Sequence, residues 1–237
     1  MTFTEMDPMS DFEPVAKCEG VSRRFEVRGE SVLALDDVSL TVEAGRMLAI
    51  AGPSGSGKST MLSILGCLDQ QTSGRVRVVG HEIGQLSKRE RRRLRRNTVA
   101  TVLPQPADNL MVARTGLENL AISMRHRGVA AVPVSGAFLQ GVIASIDLGG
   151  FVERTAGTMS GGEQQRLALA CALVCGTALI LVDEPTGALD NDSAARVVKA
   201  LTNATAGGAT IVVATHDPAV IEASDFVVRL DHGRRVS

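Results

Sequence analysis

The 237-residue sequence has no tryptophan and no tyrosine, and six phenylalanines are its only aromatics. So few rings exclude aromatic platforms for stacking successive bases. Neither charge is in excess: 25 Lys and Arg against 26 Asp and Glu leave a net charge of -1, so no global basic field argues for nucleic acid. The four cysteines, Cys18, Cys67, Cys171 and Cys175, form no C-x-x-C pair. A chain of this length buries a core without covalent staples, and the pattern reads as reduced thiols in a cytosolic protein. Cys171 and Cys175 read as small hydrophobes on one helix rather than as metal ligands. Long apolar runs are missing too. The uncharged stretch 167–182 is shorter than the roughly 20 residues a membrane span needs, and Gly176 and Thr177 divide it. Glu5, Asp7, Asp11 and Glu13 precede no apolar run, unlike a signal peptide. If the protein acts at a membrane, another chain supplies the spans. A 44% hydrophobic and 22% charged composition is that of a globular protein and excludes disorder throughout.

Residues 1–14 read as a polar tail punctuated by Pro8 and Pro14. Strands are expected where Val38, Leu40 and Val42 alternate with polar residues, at 46–51, at 75–79 and around 98–103. A helix is expected over 59–68. The middle of the chain, about 106–158, changes character, with helical segments at 117–127 and 136–148 separated by Pro133. The last third returns to alternation: helix 163–174, strand 178–182, helix 192–206, and strands 210–215 and 226–230. That rhythm predicts an α/β fold, a mostly parallel sheet with helices on both faces.

Residues 52–59 (GPSGSGKS) fit G-x-x-x-x-G-K-[ST], between an apolar strand and a helix. In the run Gly52, Pro53, Ser54, Gly55, Ser56 and Gly57 the glycines let backbone N–H groups turn inward on a polyphosphate, and the helix N-terminus adds an effective charge of about +0.5. In such a cradle Lys58 reaches the β- and γ-phosphates and Ser59 ligates Mg2+, with Thr60 extending the helix-entry contacts. Downstream, 179–182 (LILV) bury a strand from whose C-terminal end Asp183 and Glu184 emerge, where an open α/β sheet places its ligands. Asp183 is expected in the Mg2+ shell and Glu184 as general base for an attacking water.

Between these segments lie Ser160, Gly161, Gly162 and Glu163, a capping box of the form S-x-x-E in the longer run TMSGGEQQR. This run, with the two nucleotide motifs on either side, resembles the signature segment of ABC ATPases, the nucleotide-binding subunits of ATP-binding-cassette transporters, in which Glu163 replaces a more usual Gln. Residues 185–190 (PTGALD) resemble the family's D-loop entry, Thr215-His216-Asp217 its switch histidine, and Phe25 stands where the aromatic that stacks on adenine is found. The likeness covers 15–237. Residues 66–69 (GCLD) and PTGALD are most similar to the lipoprotein-release and macrolide-export branch.

The resemblance implies a P-loop NTPase core with a mostly parallel sheet (15–104 and 159–237), an N-terminal antiparallel β subdomain, and an inserted α-helical subdomain at about 105–158. It implies ATP and Mg2+ as ligands and two cassettes facing head to tail, each ATP lying between the phosphate loop of one and Ser160–Glu163 of the other. His216 then contacts the γ-phosphate and the water, and Asp190 bridges the dimer. The partners implied are an integral-membrane permease and a second copy or sister ATPase, at the cytoplasmic face of the membrane, with export or extraction of a lipoprotein, lipid, peptide or drug-like substrate. The alternative is an ATP-dependent regulator or scaffold of a membrane complex of the cell-division type. A soluble ABC ATPase acting on DNA or ribosomes would carry long coiled-coil insertions or two cassettes, and neither is visible. One position departs from the pattern. Where the family has a Gln that touches Mg2+, this chain has Pro104, with Gln105 one place later. Proline fixes φ and offers no side-chain ligand, so either Gln105 serves after a one-residue shift or the contact is lost. Finally, residues 88–96 (KRERRRLRR) form a basic run, read either as a solvated helix face or as a contact for nucleic acid or lipid headgroups.

Overall fold

A computed structural model describes residues 13–27, 29–125 and 136–236. The greater part of the expected tail, Pro133, and the last two residues of the expected helix 117–127 lie outside the described residues. In chain order the elements are β1 (Ala16–Val27), β2 (Glu30–Val42), β3 (Met47–Ala51), α1 (Lys58–Leu65), β4 (Ser73–Val78), β5 (His81–Glu82), α2 (Lys88–Thr98), β6 (Val99–Val102), α3 (Gly116–Arg125), α4 (Gly136–Ser145), α5 (Gly161–Val174), β7 (Leu179–Asp183), α6 (Asn191–Ala206), β8 (Ile211–Thr215), α7 (Pro218–Glu222), β9 (Phe226–Asp231) and β10 (Arg234–Arg235).

Two sheets result. The antiparallel one has the order β2-β1-β4-β5; the other runs β10-β9-β3-β8-β7-β6 and is parallel from β9 to β6. The parallel strands are covered on both faces, which is why β3, β7 and β8 are continuous apolar runs rather than alternating ones. Alternate residues of β7 serve different cores. Leu179 and Leu181 pack with α1 and the antiparallel sheet. Ile180 and Val182 pack with α5, α6 and the α3–α4 helices.

β1 was not legible in the sequence because its pairing with β2 breaks register three times between Cys18 and Arg24, which destroys the period-2 pattern. The expected helix 59–68 stops at Leu65: Gly66 caps it, Cys67 takes a positive φ of 54°, and the Leu68 N–H donates back to Ser63 O at 2.9 Å. Burial pushes the Cys18 thiol up to about 12 and those of Cys67 and Cys171 up to about 11, so these three stay protonated. Among the described residues no helix is long and apolar enough to cross a membrane.

Candidate functional site

Four adjacent parallel strands, β3, β8, β7 and β6, deliver their C-terminal ends to one edge of the sheet. The phosphate loop follows β3, Asp183 and Glu184 end β7, His216 follows β8, and Pro104 and Gln105 follow β6. Residues 46 to 158 positions apart from Lys58 in the sequence are thus neighbours because parallel strands all point the same way.

The loop is shaped by its glycines. A Cβ on Gly52 would stand 2.2 Å from Leu230 O and 2.6 Å from Ser56 Oγ. Gly57, at φ 102°, leaves no room for one against Ala34 O at 2.7 Å. Gly57 is the N-cap of α1 and supplies no side-chain acceptor, and the first turn of α1 holds no acid. The helix therefore presents uncapped N–H groups to an anion. Lys58 is 6% exposed, and its Nζ donates to Gly52 O at 2.7 Å and Pro53 O at 3.0 Å.

Glu184 ties the strands together. Its Oε1 lies 3.2 Å from Lys58 Nζ and its Oε2 2.9 Å from His216 Nδ1. Its backbone N–H donates to Ala214 O at 2.9 Å, and its φ of 44° is a left-handed conformation that costs a non-glycine residue about 1–2 kcal/mol. That turn at the end of β7 throws the carboxylate across to both Lys58 and His216. Around it lies a cleft of about 440 Å3 lined by Pro53, Ser54, Pro104, Gln105, Glu184, Gly187, Ala188 and His216.

Beside Glu184, burial pushes the Asp183 carboxyl above the usual aspartate range, while the Ser59 hydroxyl donating to it pulls the other way. Asp183 Oδ1 is buried with no partner among the described residues. A carboxylate with one oxygen unsatisfied, next to a hydroxyl and beneath a phosphate cradle, is a hard-oxygen donor set that fits Mg2+. At the position of the expected Gln, Pro104 and Gln105 both line the cleft and both are exposed. What holds them was missed in the sequence. Asn109 Oδ1 accepts from Leu103 N at 2.7 Å, and its Nδ2 donates to the carbonyls of Leu103 (3.0 Å), Gln105 (3.1 Å) and Pro106 (3.4 Å). A lone Asn carries no sequence signal for such a brace.

Other expected site residues lie elsewhere. The Ser160–Glu163 capping box is formed, with Glu163 N donating to Ser160 Oγ at 3.3 Å and Ser160 N to Glu163 Oε2 at 2.8 Å. It opens α5 and contributes nothing to the lining of the cleft around Glu184. Arg154, which sequence reasoning passed over, donates to both Glu163 oxygens at 3.1 and 3.2 Å. Gly161 packs on Leu189, and Gly162 lies against α6, where a Cβ would stand 2.7 Å from Ser193 Cβ. Ser193 in turn donates its N–H and hydroxyl to Asp190, the N-cap of α6, at 2.9 and 2.8 Å. Phe25 lies on β1, half-buried, with the Arg23 guanidinium 4.3 Å from its ring centroid; Arg23 is itself fixed by two 2.8 Å bonds to Asp69.

A family profile described as "ABC transporter" matches residues 35–187. The "Macrolide export ATP-binding/permease protein MacB" of Chromobacterium violaceum is 38% identical over 215 residues, covering 91% of this chain and 33% of that protein. The "Probable export ATP-binding/permease protein Pfl01_2215" of Pseudomonas fluorescens is 36% identical, covering 95% and 34%. The chain thus spans about a third of the length of the curated relatives it matches. Among solved structures, the dimeric post-hydrolysis state of the ATP-binding cassette MJ0796 bound to ADP and Pi superposes with a TM-score of 0.77 at 32% identity, covering 94% of this chain and 97% of that one. CbiO1 of Clostridium perfringens, at 23% identity and a TM-score of 0.80, shares the fold.

Proposed function

The chain belongs to the ABC transporter family of ATP-binding cassettes, and from that premise we propose that it hydrolyses ATP to drive a separate membrane permease, in export or extraction of a lipoprotein, lipid, peptide or drug-like substrate. The observation that carries the reading is the convergence of Lys58, Glu184 and His216 at the mouth of the phosphate loop.

The roles follow from the contacts. The loop N–H groups and the free N-terminus of α1 bind the phosphates. Lys58 exchanges its loop carbonyls and Glu184 for phosphate oxygens, which releases the Glu184 carboxylate to accept a proton from an attacking water. His216, on the other carboxylate oxygen, holds that side chain and the water in line. Asp183 and Ser59, with Gln105 as a further oxygen donor, would hold Mg2+, which would supply neutralisation of phosphate charge. Phe25 stacks on adenine. Ser160–Glu163 lie outside this cleft and therefore act in the site of a facing cassette, a second copy or a sister subunit. Asp190 sits at the same interface, coupled to Gly162 through Ser193.

The permease, whose spans no helix among the described residues supplies, places the cassette at the cytoplasmic face of the membrane. We assign its docking to a groove of about 490 Å3 between the edge strand β6, the end of α2 and α5, lined by Leu68, Leu103, Asn109 and Ala172 among others. Asn109 both lines that groove and braces Gln105, so pressure there reaches the cleft.

The test is turnover and assembly by the purified chain. Wild type is expected to hydrolyse Mg-ATP. Glu184→Gln should lose about 10²–10⁴-fold in rate yet elute as a dimer in Mg-ATP. A Glu184→Gln protein of normal rate overturns the base assignment. Tight ATP binding with no turnover in wild type would favour the regulator reading instead.

A further inference from the structure

Helix α2 has no role in the reading above. Its sequence, KRERRRLRRNT, places seven of the chain's 25 basic side chains on nine consecutive residues against one acid. That acid, Glu90, is turned back into the N-terminal capping box, accepting from Ser87 N at 2.8 Å and Ser87 Oγ at 2.6 Å. Its oxygens are engaged there and in no ion pair with an arginine. Leu94 is the helix's one buried residue. At about 100° per residue, Lys88, Arg89, Arg92, Arg93 and Arg96 fall within an arc of about 140° facing away from Leu94, and all five are exposed. Arg91 and Arg95 turn the other way: both are half-buried, and Arg95 Nη1 donates to Cys67 O at 3.3 Å. Among the described residues none of the seven cations forms an ion pair.

Five like charges on one face repel one another, and no ion pair among the described residues offsets them. A solvated face needs no such one-sided arrangement; in a chain of net charge -1 the concentration calls for an extended polyanion. We propose that this face of α2 docks on the surface of an anionic lipid bilayer. A flat stripe of cations matches a plane of headgroups, each cation near the surface contributing attraction of its own. Nucleic acid is less suited: α2 has no aromatic side chain to stack a base. Arg95 and Arg96 also line the groove assigned to the permease, next to Leu68 and Leu103, which are 57% and 44% exposed. A permease seated there brings a membrane alongside α2. The choice of a lipid surface rests in part on that reading, but the vesicle test below needs no permease, so the two can fail separately.

The full chain is spun with vesicles of phosphatidylcholine, with or without phosphatidylglycerol. Wild type should pellet with the anionic vesicles only, and added salt should release it. Reversal of Arg89, Arg92 and Arg93 to Glu should lower partitioning by about 100-fold or more. Arg89→Gln/Arg92→Gln/Arg93→Gln, gentler on folding, should give a smaller loss in the same direction. The control Lys17→Glu/Arg75→Glu/Arg77→Glu, equal in charge but placed on β1 and β4, should bind as wild type does, and ATP turnover should be unchanged by the α2 substitutions. Equal pelleting with both vesicle types overturns the proposal, as does equal loss in the control. Complete displacement by duplex DNA at matched phosphate concentration would hand α2 to nucleic acid.

Discussion

Lys58 and Glu184 are partly buried opposite charges, and the pair is tolerable because each has further partners: two loop carbonyls for the ammonium and His216 for the carboxylate. Removing one leaves the other stranded, so substitutions here affect folding as well as chemistry. Gly57 gives a cleaner probe of the loop. Gly57→Ala must adopt φ 102° and place a methyl 2.7 Å from Ala34 O. We expect a loss of roughly 1–3 kcal/mol in denaturant unfolding and loss of ATP binding; a variant that binds ATP normally would mean the loop is not the cradle. Asp190 tests the charge at a helix cap. The Ser193 N–H, then its hydroxyl, hold its carboxyl below the usual aspartate range. With the folded value depressed, the ionised form favours the fold. Its contribution is present above the ordinary aspartate pKa of about 4 and is lost as pH falls through the lowered value. The gap in Tm between wild type and Asp190→Asn should therefore be widest near neutrality and close in acid. A gap independent of pH would show that hydrogen bonding alone caps α6.

At the scale of elements, α5 and α6 meet where Gly162 faces Ser193. Gly162→Ala gains helix propensity of under about 1 kcal/mol, but it forces a methyl to 2.7 Å from Ser193 Cβ, and overpacking costs about 1–3 kcal/mol. The single variant should melt lower, and Ser193→Gly in the same chain should recover part of the loss; independent effects would argue against direct contact. The same pair joins the Ser160–Glu163 segment to Asp190, two regions that look separate in the sequence. Asn109 is the brace of the next element. Asn109→Ala leaves one N–H and three carbonyls of 103–106 without their side-chain partner. Turnover should fall several-fold with KM for ATP little changed, because the phosphate loop is untouched; a raised KM with intact kcat would place Asn109 in binding instead. The S/T-x-x-E pattern noticed at 160–163 recurs at Ser87–Glu90 and Thr115–Glu118, and these three capping boxes form. The brace was not legible, because it depends on how a loop folds back on itself.

At the scale of the whole molecule, the Lys58 cluster occupies one edge of the sheet and the signature segment lies outside its cleft. If the working unit is a head-to-tail pair, Lys58→Ala and Ser160→Arg, each inactive alone, should regain ATP turnover when mixed, because one of the two composite sites in the mixed dimer is intact. No recovery on mixing would place the whole site within one chain. The sequence by itself marked out the G-x-x-x-x-G-K-S loop at 52–59, the Asp183–Glu184 pair, the capped Ser160–Glu163 segment and the family to which the chain belongs, because each is a contiguous pattern set by spacing along the chain. It also located the strands buried on both faces, whose apolar runs need no partner to be recognised. Only the tertiary structure decided that Glu184 reaches Lys58 and His216 together, that Asn109 holds Gln105, and that five cations of α2 are exposed in one arc with no ion pair among the described residues. Strand order, register and the turning of a loop set those distances, and the same residues at the same spacing would not meet if the parallel strands were arranged otherwise.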